Sequence, residues 1–283
     1  MYLYICVMTK DIPIHSLNKD KNYVSVSKIE EMKTNLFYSA HRHDFYELIF
    51  FTGGNGMHKI DFENYTIEPN LIYFLSPGQV HEWNPESLKG YIMVISRDTL
   101  YHIQSVENVS FYKLFYQPKN KLSITVTQEY KDIFISLLNL LYTKNKKDNT
   151  KVNLIRNYLT AILFNCMECS NIDNNDKFND RIMNLRFEIN KMYKTERGGS
   201  YYANKLSLSL KHLNDLSRER LGKTVMQIIH DRIILEAERE IAYSNKSIQE
   251  ISYNLGFKDP AYFNRFFKKN VGHTPQQFRR ISK

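Results

Sequence analysis

Cysteine is scarce in this chain, with only Cys6, Cys166 and Cys169 among 283 residues. No disulfide framework is indicated, and a reducing cytoplasm is the expected compartment. Cys166 and Cys169 form a lone C-x-x-C near the end of an apolar helical stretch. A metal or redox site of that kind wants a second pair or a nearby histidine, so small core residues are the better reading. Long apolar runs are missing too. The apolar opening Met1-Tyr2-Leu3-Tyr4-Ile5-Cys6-Val7-Met8 is too short to span a bilayer and lacks the basic flank and cleavage pattern of a signal peptide. It reads as an arm, or marks a later start at Met8, and no membrane partner is expected. No activated nucleophile stands out, so no catalytic residue is assigned and the chain is read as a non-enzyme. Acid is scarce at one end: residues 178–283 hold 20 Lys+Arg against 11 Asp+Glu, whereas the remainder holds 19 of each. The whole formal charge of +9 therefore lies on the C-terminal part, an electrostatic footprint for a polyanion.

The C-terminal part repeats one small design twice. In the second copy Ser247-Ile248-Gln249-Glu250 is a Ser-x-x-Glu capping box that opens a helix. Ile248, Ile251, Ser252 and Leu255 share a face, and Gly256 supplies a left-handed stop. Asp259-Pro260 restarts a helix with an N-cap and a first-turn proline. Phe263, Phe266 and Phe267 form its inner face, leaving Ala261, Asn264, Arg265 and Lys268 outward as a groove-reading row, with Lys269 beside them for phosphate. In the first copy Ser200 and Ser209 are placed to cap two helices. Leu210, Leu213 and Leu216 turn inward, Lys211, Asn214, Asp215 and Arg218 turn outward, and Gly222 closes the helix. Between the copies, Thr224-Val225-Met226-Gln227 opens a connecting helix through Ile241.

Several stretches resemble one family. They are Leu221-Gly222-Lys223-Thr224, the run Arg232 to Ala237, Ile251-Ser252-Tyr253-Asn254-Leu255-Gly256-Phe257, Tyr262-Phe263-Asn264-Arg265-Phe266-Phe267-Lys268-Lys269, and Gly272-His273-Thr274-Pro275-Gln276-Gln277-Phe278-Arg279. Together they resemble the DNA-binding domain of AraC/XylS-type transcription regulators over roughly Phe178 to Arg280. The resemblance implies seven helices, with one recognition helix in each of two successive major grooves of promoter DNA. Asp215 departs from the family pattern, in which a base is common there. It either accepts from a cytosine amino group or marks a first head that mostly docks.

Upstream, residues 1–126 read as a cupin-like β-barrel or sandwich. Strands are expected at Glu47–Thr52, Met57–Phe62, Leu71–Leu75 and Gly90–Ile95, separated by glycine and proline turns. Residues 127–170 switch to helical period. Ile133, Phe134, Leu137, Leu138 and Leu141 make one stripe, and Lys144 to Thr150 a polar loop. Val152, Ile155, Leu159, Ile162 and Cys166 then recur at three- and four-residue steps. That seam is either buried on the barrel or a homodimer face, the dimer being the sharper reading. Polar residues 171–177 read as a linker. Phe178, Ile182, Leu185, Ile189 and Met192 then open the DNA-binding domain, residues 178–283. The fold class is α+β multidomain: a barrel with a two-helix dimerisation segment, then an all-α double helix-turn-helix.

His41 and His43 alternate onto one face of a strand, Glu47 follows on that face, and His81 comes after the Pro77-Gly78 turn. The set resembles the cupin motifs His-x-His-x3-Glu-x6-Gly, ending at Gly54, and Pro-x-Gly-x2-His, here shortened to Pro77-Gly78-Gln79-Val80-His81. Such donors suit a divalent transition metal. The shortened second motif favours instead a small-molecule pocket, completed by Tyr46, Phe74 and Trp83, with no metal or cofactor; the lone tryptophan fits a sugar. The expected function is an effector-responsive, sequence-specific transcription regulator, an activator acting with RNA polymerase. The competing readings are a metal-dependent cupin enzyme fused to a DNA-binding domain and a ligand-independent DNA-binding protein.

Overall fold

A computed structural model of the chain describes residues 12–16, 23–32, 39–83, 87–107, 109–117, 122–145, 152–170 and 177–282. The apolar opening, most of the polar loop after Asn145 and the linker up to residue 176 lie outside the described residues, as does the side chain of Phe178. Two compact units divide between Asn174 and Asn175.

The N-terminal unit is built from β1 (Ile14–His15), β2 (Val24–Lys28), β3 (Arg42–His43), β4 (Tyr46–Gly53), β5 (Gly56–Ile60), β6 (Glu63–Ile67), β7 (Leu71–Leu75), β8 (His81–Trp83), β9 (Lys89–Ile95), α1 (Arg97–Glu107), α2 (Tyr112–Phe115), β10 (Ser123–Thr125), α3 (Gln128–Asn145) and α4 (Val152–Ser170). An antiparallel sheet in the order β10-β7-β4-β9-β2 faces a second sheet in the order β6-β5-β8. Ile49 and Phe51 of β4 pack into one core with Ile60, Ile67 and Trp83 of the second sheet. The alternate residues of β4 turn to the helices: the Phe50 ring lies 5.8 Å from Phe134 of α3 and the Tyr46 ring 4.7 Å from Phe115 of α2. Both faces of β4 are thus covered, which is why Tyr46 to Phe51 is buried without alternation.

The α3 and α4 pair packs within this unit, α3 also lying on β2 and α4 on β10. Of the expected seam, Leu159, Ile162 and Cys166 are fully buried here, so most of it is spent on the unit's own core, and only Val152 at its start is exposed. Cys166 is a core residue, its thiol pushed up well above the usual range by burial, which leaves it inert. Helix α1 was not expected. It is held by a thin inner stripe of Thr99, Leu100 and Ile103.

The C-terminal unit contains α5 (Lys177–Met192), α6 (Gly199–Lys205), α7 (Leu210–Leu221), α8 (Val225–Tyr243), α9 (Ile248–Asn254), α10 (Pro260–Val271) and α11 (Pro275–Ile281). These are the seven helices that the resemblance implies. Ile182, Leu185 and Ile189 are buried, as the stripe requires. Ser209 caps α7, Thr224 with Gln227 and Ser247 with Glu250 form complete capping boxes, and left-handed Gly222 ends α7. Ser200 does not cap; α6 begins one residue earlier, with Gly198 at its N-cap. The reason is packing: a Cβ on Gly199 would lie 2.9 Å from Leu210 Cδ1, so this helix start is pressed against α7. A further capping box, Thr274 with Gln277, opens α11.

Candidate DNA interface and a buried histidine cluster

The second helix-turn-helix is α9 and α10. Ser247 Oγ accepts from Glu250 N at 3.2 Å, and Ser247 N donates back to Glu250 Oε2 at 2.7 Å. Gly256 then turns the chain at φ +81°, where an added Cβ would meet the Lys194 carbonyl oxygen at 2.3 Å. Arg197 clamps the same turn, donating from Nη2 to Leu255 O at 2.5 Å with its guanidinium 3.9 Å above the Phe257 ring. Asp259 caps α10, its carboxylate accepting from Ala261 N at 2.8 Å and Tyr262 N at 3.2 Å. Phe263 and Phe267 are buried, Phe267 lying 5.6 Å from Phe278 of α11, so α10 has one fixed inner face. Ala261, Asn264, Arg265, Lys268 and Lys269 are all exposed. Tyr262, half exposed at 53% and next to them, was not singled out from sequence; a tyrosine in the first turn of such a helix was the available signal. Arg265 Nη2 approaches Asp259 Oδ2 only to 3.9 Å, with both side chains mostly in solvent.

The first copy, α6 and α7, presents less. Lys211, Asp215 and Arg218 are exposed, but Asp215 Oδ1 lies 3.5 Å from Arg218 Nη1. Asn214 is turned partly inward, its Oδ1 accepting from Val225 N at 3.0 Å and tying α7 to the start of α8. The two copies are joined by α8, in which buried Glu236 pairs with Arg232 at 3.0 Å and Arg239 at 3.3 Å. Arg279 of α11 donates to Ile241 O at 3.1 Å and Lys246 O at 2.7 Å, satisfying carbonyls at and beyond the end of α8.

The other concentration of chemistry lies inside the N-terminal unit. Backbone bonds between His41 and His81 at 3.1 and 2.8 Å join the two segments. Period-two alternation then carries His43 to the same side as His41. Glu47 on β4 completes the set: Oε2 is 3.5 Å from His43 Nε2 and 3.7 Å from His81 Nε2. Two further histidines, missed from sequence, belong here. His58 of β5 meets His81 (Nε2 to Nδ1, 3.0 Å), and the His15 ring of β1 lies 4.8 Å from His41. His58 shares a strand face with buried Ile60, and that spacing was the available signal; β1 is too short to give one. Five of the chain's nine histidines thus gather in one buried cluster with Glu47. Burial drives His41 down to about 4 and His58 to about 3, and lowers His81 well below its ordinary value, so these rings are neutral. Trp83 lies on the same inner side, packed 5.8 Å from Phe51. Tyr46 and Phe74 do not join this set. They face the helices, where the Tyr46 hydroxyl meets that of Tyr116 at 3.1 Å and the Phe74 ring lies 5.5 Å from Phe115.

Comparison with known proteins matches residues 202–281 to a helix-turn-helix domain model and residues 23–96 to the AraC-like ligand binding domain model. The chain belongs to the AraC family of transcription regulators. Among its relatives, the HTH-type transcriptional activator RhaR of Mannheimia succiniciproducens is 21% identical over 250 residues, covering 86% of this chain and 87% of that protein. The arabinose operon regulatory protein of Escherichia coli K12 is 24% identical over 242 residues, covering 80% and 77%. A crystal structure of ToxT from Vibrio cholerae O395 is 14% identical and pairs 93% of this chain with 100% of that one, at a TM-score of 0.46. This AraC-family member is therefore a DNA-binding transcription regulator with an N-terminal ligand-binding domain and a C-terminal double helix-turn-helix. No helix among the described residues is long and apolar enough to cross a membrane.

Proposed function

We propose that α10 reads the sequence of promoter DNA and that α7 mainly docks. The observation that carries this reading is the exposed row Ala261, Asn264, Arg265 and Lys268 on a helix whose opposite side is fixed by Phe263 and Phe267. Arg265 donates to a guanine edge, while Lys268 and Lys269 meet phosphates. On α7 the pairing of Asp215 with Arg218 and the engagement of Asn214 by Val225 N leave Lys211 and Arg218 as phosphate contacts.

The functional divisions follow the sequence: sensing in residues 1–126, dimerisation through 127–170, a linker at 171–177 and DNA binding in 178–283. Because Leu159, Ile162 and Cys166 are used inside the unit, we place the homodimer contact on α3. There Ile133 and Leu140 are 41% and 42% exposed, with Leu137 half-buried between them at helical spacing. The chain acts in the cytoplasm as an activator that engages RNA polymerase and carries out no catalysis. Its small-molecule effector binds on the inner side of the β unit near His41, His43, Glu47, His81 and Trp83, with Tyr46 and Phe74 supporting the wall from behind. A sugar is the first class to test. The effector changes DNA affinity by binding two conformations of the intact chain unequally.

The test compares the intact chain with a 177–283 fragment on an operator obtained by in vitro selection. The fragment should fold and bind the selected sequence more weakly, since a dimer presents two linked reading units, and a thermal-shift screen with arabinose and other sugars should stabilise only the intact chain. Equal affinity for fragment and intact chain, with the intact chain sedimenting as a monomer, defeats the dimer; loss of sequence preference in both defeats the reading head.

A further inference from the structure

We infer that the N-terminal unit holds one divalent first-row transition-metal ion on His43 Nε2, Glu47 Oε2 and His81 Nε2. This goes beyond DNA recognition, does not rest on it, and reverses the expectation from sequence that no metal is bound. The three ligand atoms lie within 4.8 Å of one another on fully buried side chains, and among the described residues no other group of three His, Cys, Asp or Glu is so placed. None of the three has a hydrogen-bond partner. The separations of 3.5 and 3.7 Å from the carboxylate are too long for hydrogen bonds, yet they suit neighbouring ligands around one ion once it draws them in.

Proton positions strengthen the case. His43 Nδ1 donates to Phe45 O at 2.7 Å, so in the neutral ring Nε2 carries the lone pair. His81 Nδ1 lies 3.0 Å from His58 Nε2, so one of these two nitrogens donates to the other. In the tautomer with His81 Nδ1 as the donor, both Nε2 lone pairs face the buried Glu47 oxygen, an arrangement of three unpartnered atoms that is costly without a cation between them. Each imidazole is also held by its second nitrogen, as metal-binding histidines are. Two nitrogens and one oxygen suit zinc, iron, cobalt, nickel or manganese over calcium or magnesium, and three protein ligands leave further positions open to a small oxygen donor.

Full-length protein is stripped with chelator, dialysed against Zn(II) or Co(II), and its metal content measured. Retention of one ion per chain is expected, with visible Co(II) absorption and a rise in melting temperature; Glu47→Gln and His43→Gln should abolish retention. His58→Gln, which releases only the far nitrogen of His81, should weaken it about 10- to 100-fold. Zn X-ray absorption on the wild-type chain gives a check that needs no variant, with a first shell of two imidazoles and carboxylate oxygen. Failure of the wild type to retain either ion, retention unchanged in folded Glu47→Gln protein, or a first shell lacking the two imidazoles would each overturn the inference.

Discussion

Arg265 is the position at which base reading and bracing of the helix give opposite results. If the guanidinium donates to the O6 and N7 of one guanine, Arg265→Ala removes about 1–3 kcal/mol of binding to the preferred operator, or about 5- to 150-fold in Kd. The cost to the fold is bounded by the one ion pair the side chain makes among the described residues, to Asp259 at 3.9 Å with side chains 71% and 58% exposed. A pair that long and that wet is worth about 0.2 kcal/mol, which for a domain of this size moves the melting temperature by about 1 °C. Binding and stability should therefore separate clearly. Anisotropy titrations of the 177–283 fragment on operator and scrambled DNA, at several salt concentrations, read the first; thermal unfolding reads the second. Lys269→Ala is the control: it should weaken binding to both DNAs alike and reduce the salt slope by about one unit. Equal loss on both DNAs for Arg265→Ala, or a drop of several degrees in its melting temperature, refutes base reading by this residue.

Two further substitutions test the frame around that helix and the assembly. Gly256→Ala places a Cβ 2.3 Å from the Lys194 carbonyl in a left-handed conformation, so urea unfolding of the fragment should show a loss of about 2 kcal/mol or more, and a loss below about 0.5 kcal/mol would mean that the turn relaxes freely. The double change Ile133→Glu and Leu140→Glu, at positions already 41% and 42% exposed, should leave the unit's melting temperature within about 2 °C while shifting the sedimenting species from dimer to monomer; a dimer that survives places the contact elsewhere.

The helix-turn-helix was legible because its determinants are local. A serine and a glutamate three residues apart, a glycine after an apolar turn and a proline behind an aspartate each act within one helical turn, so the caps at Ser209, Thr224, Ser247 and Asp259 could be read directly. Ser200 was misjudged because a tertiary contact, Gly199 against Leu210, set the helix start instead. In the β unit Leu71–Leu75 was found to the residue, since it is bounded by turns and apolar throughout. β2 and β10 escaped because they are short and their pairing with β9 and β7 joins distant residues. Sheet alternation also parts Tyr46 from Glu47, whose adjacency in sequence puts them on opposite faces.

Charge illustrates a second limit. The 20 Lys+Arg of residues 178–283 were counted as one basic footprint, but several of them are occupied within the fold: Arg197 on Leu255 O and the Phe257 ring, Arg232 and Arg239 on Glu236, Arg279 on one carbonyl in the last turn of α8 and one beyond it. Such pairing leaves the net charge unchanged, so long-range attraction of DNA keeps its full strength. Contact affinity obeys a different count, because only cations that reach phosphates release counterions. On the proposed contacts, the salt slope of the intact protein should follow the exposed set on α7 and α10, Lys211, Arg218, Lys268 and Lys269 among them, while the internally engaged arginines contribute by holding the helices of this unit together.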